Sequence, residues 1–167
     1  MQAVLWPLLL QVILIALNAV FACAEIAVIS VNDNKLAQLV AQGDKRALRL
    51  ARLTSRPAQF LATIQIAITL SGFLGSAFAA DHFSDRLVAL LLRAGVPIPE
   101  KTLDTLSVIL ITLLLSYFTL VFGELVPKRL AMKRAESLAL GIANLVSLIS
   151  KLFAPIVWAL TASTNLV

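Results

Sequence analysis

Four long stretches of the chain are nearly free of charge, and clusters of charged or turn-forming residues separate them: 5–31, 60–80, 103–122 and 138–160. Runs of about 18 or more apolar residues are long enough to cross a hydrocarbon core roughly 30 Å thick. Within the first three, polar and small residues recur at helical spacing. Gln11, Asn18, Ala22 and Glu25 are separated by 7, 4 and 3 positions, Gln65, Thr69, Gly72 and Ser76 by 4, 3 and 4, and Thr112, Ser116, Thr119 and Gly123 by 4, 3 and 4. Residues so spaced share one helix face. In lipid that face turns toward other helices, because a polar group against hydrocarbon has no partner. Stripes of Ser, Thr and Gly are also the ordinary adhesive between membrane helices, so a stripe alone does not make a site. The pattern predicts an all-α membrane protein.

The fourth stretch is patterned differently. Ser137, Gly141, Asn144, Ser147 and Lys151 recur at 4, 3, 3 and 4, while Leu138, Ile142, Leu145, Ile149, Leu152 and Ile156 fill another face. That stripe, with Lys151 in mid-segment and Pro155 beyond it, predicts a helix lying along the membrane interface or packed on the bundle with one wet edge. A fourth span is the alternative and would put the C-terminus outside.

Between the apolar stretches, 33–54 is charged and interrupted at Gly43-Asp44, which predicts a short helical hairpin. Pro57 suits the first turn of the second span. "AGVPIPEK" (94–101) reads as a turn-rich loop following a short amphipathic stretch, 86–93.

Charge sets the orientation. Lys35, Lys45, Arg46, Arg49, Arg52 and Arg56 follow the first span, and Lys128, Arg129, Lys133 and Arg134 follow the third. The loop between spans two and three has Arg86, Arg93 and Lys101, offset by Asp81, Asp85, Glu100 and Asp104. Lys/Arg excess marks the cytoplasmic side, so three spans place the N-terminus outside and the C-terminus in the cytoplasm of a cell-membrane protein. The N-terminus lacks a basic n-region and reads as a retained span rather than a secretion signal.

Composition agrees with this class. Sixty per cent of the 167 residues are hydrophobic and the mean hydropathy is +0.94. The net charge of +5 belongs to span orientation, and nucleic-acid binding is not expected. Cys23 is the only cysteine and His82 the only histidine, so a zinc or copper site is not expected. No Ser/His/Asp arrangement, phosphate-binding loop or paired-histidine motif is present, and the chain does not read as an enzyme.

Two carboxylates carry the candidate chemistry. Glu25 lies near the inner end of span one, and Glu124 ends span three on the same side. An ionisable residue inside a span is costly and is a functional candidate by default. The plainer readings are a cytoplasmic arginine or the wet interface for Glu25, and a local pair with Lys128, four residues on, for Glu124. Pro127 marks a helix break. If the helix continued through it, the missing N–H would leave the carbonyl of Gly123 without its partner. A bare carbonyl, a carboxylate and a residue with no side chain then coincide. These are hard oxygen ligands of the type that suits magnesium or sodium.

"NAVFACAEIAVISVN" (18–32), "RPAQFLATIQIAITLSGFLGSAFA" (56–79) and "GELVPKRLA" (123–131) resemble the transmembrane domain of the CNNM/CorC magnesium transporters, whose bacterial members often carry the label hemolysin-like and possess CBS domains. The resemblance runs over nearly the whole chain and implies a single domain, 1–167. It would have spans at about 3–31, 58–80 and 103–124, a cytoplasmic hairpin at 33–55 and a juxtamembrane belt helix at about 135–162. It further implies a homodimer in membrane lipid, one magnesium ion among the three spans of each protomer in an inward-facing cavity, and efflux driven by sodium entry. Cytoplasmic CBS domains follow the belt in full-length members and are absent from this chain.

Carried over by position, Glu25, Thr69 and Glu124 match polar positions of the family. Ala22 stands where relatives often have serine, leaving only its carbonyl. Many relatives have Gly-Asn-Thr in span two and a further Asn; this chain has Ala67, Ile68 and Thr69, then Ser71. The expected ion site is therefore Glu25, Thr69, Ser71 and Glu124, with the carbonyls near Ala22 and Gly123. The competing expectation is a membrane magnesium sensor or regulator of another transporter, with the same site and no path.

Overall fold

The computed structural model describes residues 2–164; Met1 and residues 165–167, the ends of the expected 1–167 domain, lie outside the described residues. Among the described residues all regular structure is helical. Helix α1 runs Gln2–Ile29, α2 Asp33–Ala41, α3 Lys45–Thr54, α4 Pro57–Arg93 and α5 Glu100–Leu120. A π-helical turn, Val121–Leu125, then leads directly into α6, Val126–Lys133, and α7 runs Ala135–Thr164. Among the described residues, four helical segments are long and apolar enough to cross a membrane: Leu5–Ile29, Pro57–Arg93, Glu100–Lys133 and Ala135–Leu160.

Helix α1 is the common partner: α3, α4, α5, the π turn, α6 and α7 all pack against it. Helix α4 packs along α5 but touches neither the π turn nor α6. The second rod, α4, and the third, made of α5, the π turn and α6, therefore meet along α5 and part beyond it, with α1 behind the gap.

Small residues make the close packing possible. Ala22, Ala24 and Ala27 of α1, Ala47 of α3, Ala131 of α6, and Ala139 and Ala143 of α7 are all 0% exposed. In lipid, where apolar surface alone gives helices little reason to associate, close backbone approach through such residues supplies the packing energy. On α7 the buried face is this small-residue line, continuing to Val146 and Val157, whereas bulky Leu145, Leu152 and Ile156 point outward. The predicted apolar face is thus divided, because an alanine line brings α7 closer to α1 than leucines would.

Two further elements depart from the sequence reading. The stretch 86–93 is the end of α4 rather than a separate helix. No proline or glycine lies between Ser76 and Ala94, so nothing stops a helix that reaches about 55 Å at 1.5 Å per residue. It ends at Gly95, whose φ of +75° suits a residue without a side chain. Gln65, expected to face inward, is exposed, because it lies on the part of α4 that has left the third rod.

The short helices follow local rules. Gly43, at φ +82°, ends α2, and Asp44 caps α3 by accepting from the N–H groups of Arg46 at 2.7 Å and Ala47 at 3.3 Å. The Arg46 amide beside it is the main cause that holds the Asp44 carboxyl below its ordinary range. The cap is thus present at neutral pH and is lost as pH falls through that lowered value.

Polar groups fasten the helices to one another. The Gln11 Nε2 donates to the Gly75 carbonyl at 2.8 Å, joining α1 to α4, and Ser84 Oγ donates to Asp104 Oδ1 at 3.1 Å, joining α4 to α5. Gly123 lies so close to α1 that an added Cβ would meet Asn18 Cβ at 3.2 Å and the Ile15 carbonyl oxygen at 3.4 Å, whereas one at Gly72 would meet nothing within 4 Å. Gly123→Ala is therefore expected to destabilise the protein by about 1–3 kcal/mol through overpacking against backbone. Gly72→Ala should be neutral or stabilising by up to about 1 kcal/mol. Thermal unfolding of both variants in detergent checks the contrast.

Candidate functional site

The site is built on the stripe of α1. Gln11, Asn18 and Glu25 stand seven residues apart and so lie nearly in line on one face. Each meets a different environment. Gln11 is satisfied by Gly75. Asn18 is 4% exposed, and its Oδ1 has no hydrogen-bond partner. Glu25 stands beside Lys128 of α6.

In front of Asn18, between α1, α4 and the third rod, is a cavity of about 450 Å³. Its polar wall comprises Asn18, Thr69, Ser76, Ser116, Thr119 and Glu124, with Gly72 leaving room among them; Ile68, Phe73, Leu115 and Leu120 complete it. The three predicted stripes converge here. Helix α4 contributes its hydroxyls from one side, and the third rod does so from the other. The gap exists because α4 and the π turn do not touch.

Pro127 does not break the third rod. The turn before it opens instead, and the N–H of Val126 donates to the carbonyl of Val121, five residues back. In an α-helix the proline ring would clash with the carbonyl four residues earlier and remove its donor. The wider winding relieves that clash and shifts the register, and such π turns are frequent at functional sites. Here the turn carries both Gly123, buried against α1, and Glu124, on the cavity wall.

Below the cavity lies an ion-pair triad. Lys128 Nζ donates to Glu124 Oε1 at 2.8 Å and stands 3.2 Å from Glu25 Oε2. The second approach is an ion pair without hydrogen-bond geometry, since Glu25 Oε2 is buried with no hydrogen-bond partner. The side chains are 22% (Glu25), 34% (Glu124) and 26% (Lys128) exposed. Two carboxylates around one ammonium leave a formal charge of −1 at the inner end of the cavity.

The expected site residues thus separate. Thr69 and Glu124 share the cavity wall. Glu25 joins them only through Lys128. Gly123 is at the α1 contact, and Ala22 is fully buried in α1. Ser71 is two residues from Thr69, about 200° around α4, and does not line the cavity. Sequence reasoning had Asn18 on its stripe without selecting it. The signal was available: an amide at mid-span, seven residues from a carboxylate on the same face. Lys128 was read as a partner for Glu124 alone; that it also reaches Glu25 depends on α6 packing against α1.

Among the described residues no three His, Cys, Asp or Glu side chains gather as a metal cluster. What the cavity offers is one carboxylate, the side-chain amide of Asn18 and several hydroxyls. This is a hard, mostly neutral oxygen set that can take a cation stripped of part of its water.

Comparison with known proteins places this geometry. The model of the cyclin M (CNNM) transmembrane N-terminal domain matches residues 9–167. The UPF0053 protein sll0260 of Synechocystis is 36% identical over 155 residues, 93% of this chain and 34% of its own length. The UPF0053 protein YhdT of Bacillus subtilis is 31% identical over 159 residues, 95% of this chain and 34% of that protein. A protein of Haemophilus influenzae named polyamine export protein is 31% identical over 156 residues, 92% of this chain and 35% of that one. The chain spans about a third of the length of these curated relatives. A match over nearly all of an all-helical membrane protein, built around the buried stripe of α1, identifies the chain as a member of the CNNM family, matching its transmembrane N-terminal domain.

Proposed function

We propose that the domain is the membrane part of a cation transporter, with magnesium as its substrate and export coupled to sodium entry as its mechanism. The observation that carries this reading is the Asn18 Oδ1, buried without a partner on the wall of a cavity that also presents Glu124. An orphaned buried oxygen costs about 1–3 kcal/mol, and a bound cation would remove that cost. Magnesium would take Asn18, Thr69 and Glu124 as ligands and keep water on its remaining positions, as its reluctant dehydration favours.

Three crossings and an interfacial α7 complete the proposal. The side-chain contacts of α7 support this course. Glu136 accepts from Lys35 of α2 at 2.6 Å, Asn144 accepts from Arg49 of α3, and Ser147 and Lys151 share a groove with Arg52 and Arg56. Repeated contact with the charged hairpin along this length supports a helix that follows the membrane surface. The hairpin and the end of α6 hold most of the basic residues, so this side is cytoplasmic. The cavity then lies inward, where α4 and the third rod diverge. The homodimer and the cytoplasmic CBS domains enter the proposal from the family resemblance alone.

A second substrate reading has an observation of its own. The Lys128 ammonium already lies between two carboxylates, which is the chemistry that would hold an amine of a polyamine. A relative is named for polyamine export. Competition decides: spermidine should not displace magnesium from the protein if magnesium is the substrate, and should do so if the ammonium reading holds.

Glu124→Gln is expected to weaken magnesium binding at least tenfold, about 1.4 kcal/mol, read as loss of the magnesium-dependent rise in melting temperature. Asn18→Leu should lose the same rise while leaving the magnesium-free protein as stable as the parent, or more stable by about 1 kcal/mol. An intact magnesium response in both variants would overturn the site. In proteoliposomes, magnesium flux should follow an opposed sodium gradient and vanish in Glu124→Gln. Binding without flux under any gradient would make the domain a sensor instead.

A further inference from the structure

A second polar hollow lies apart from the cation cavity, between α3, the start of α4 and α7. It measures about 450 Å³ and its lining includes Arg52, Arg56, Lys151, Ser147 and Ser150. No acidic side chain lines it, and among the described residues no salt bridge is made by Arg52, Arg56 or Lys151. Three like charges held around one hollow raise its potential and draw in an anion. Two independent features point the same way. The Ser150 hydroxyl is buried without a hydrogen-bond partner. Helix α4, 37 residues long, begins at this hollow with no capping side chain, and its first residue is Pro57. The positive end of the helix dipole, with the first turn represented at the hollow by Gln59, therefore faces it without a capping side chain.

We propose that this hollow binds a phosphate-bearing anion, and that its source is the headgroup of an anionic phospholipid. Arginine suits phosphate oxygens through paired N–H donors. The lipid source follows from the surroundings. Phe60 and Ala154 form apolar parts of its wall, and Leu148 and Leu152, next in sequence to the lining residues Ser147 and Lys151, are 66% and 72% exposed, which gives an acyl chain apolar surface on the same helix. Lys151 reaches the headgroup level from a helix whose other face is apolar. The lipid would join α3, α4 and α7, and would hold α7 on the membrane surface. This inference does not depend on which cation the domain carries.

The test is thermal unfolding of the purified protein in neutral detergent, with additions of phosphatidylglycerol, phosphatidylcholine or inorganic phosphate, and native mass spectrometry to count retained lipid. Phosphatidylglycerol should raise the melting temperature by several degrees and remain bound, and phosphatidylcholine should do neither. In Lys151→Gln and in Arg52→Gln/Arg56→Gln the shift should fall by at least half, with the starting melting temperature little changed in the exposed Lys151→Gln. Equal stabilisation by inorganic phosphate would overturn the lipid source, and equal phosphatidylglycerol binding by parent and both variants would overturn the site. Should the double variant not fold, Arg52→Lys/Arg56→Lys, which keeps charge without paired donors, should bind more weakly than the parent; unchanged binding there counts against it.

Discussion

A helix in lipid can offer its polar side chains only to other parts of the protein, and this constraint organises the whole domain around α1. Gln11, Asn18 and Glu25 share one line on that helix, so the neighbours that satisfy them must approach from the same side. Gln11 fastens α4 through the Gly75 carbonyl. Glu25 meets α6 through Lys128. Between them Asn18 keeps an oxygen that no group of the protein takes up. Two polar residues of the line hold the helices in place, and the one in the middle is left without a partner for its oxygen.

The gap in front of Asn18 comes from how the third rod passes Pro127. A straight α-helix would place the proline ring against the carbonyl of Gly123. The π turn avoids this and lets Gly123 approach α1 until an added Cβ would crowd Asn18 at 3.2 Å. Pulled toward α1 there, the rod leaves α4, and the two enclose a cavity rather than a packed seam. Glu124, next to the glycine, comes to the cavity wall for the same reason. A helix distortion, a close contact and a hollow thus have one cause.

The hairpin and α7 do different work. Their contacts are ion pairs, hydrogen bonds and an alanine-rich core, all at the end where basic residues gather. Surface ion pairs contribute little stability singly, typically below about 1 kcal/mol. The alanine contacts and the fixed Gly43–Asp44 connection supply most of the order. Arg52, Arg56 and Lys151, which this packing leaves without a carboxylate partner, line the second hollow.

Apolar stretches, periodic polar faces and caps are local properties, and they were legible in the sequence: the all-helical membrane class, the hairpin at Gly43-Asp44 and the inward turn of Thr69, Ser116 and Thr119 follow from spacing alone. The absence of any helix breaker allowed α4 to continue to Arg93, but the amphipathic pattern of 86–93 was read as a separate stretch. What spacing could not supply was which residues on those faces find partners. Asn18 differs from Gln11 only because a carbonyl of α4 lies opposite one and a hollow opposite the other. Lys128 reaches Glu25, 103 positions away, because α6 packs on α1. Ser71 is excluded by its rotation about α4 relative to the neighbouring rods. Sequence by itself determined each helix and its polar face, since those depend on neighbours within a few residues. Only the tertiary structure decided satisfaction and vacancy, because these depend on where separate helices converge and where they part.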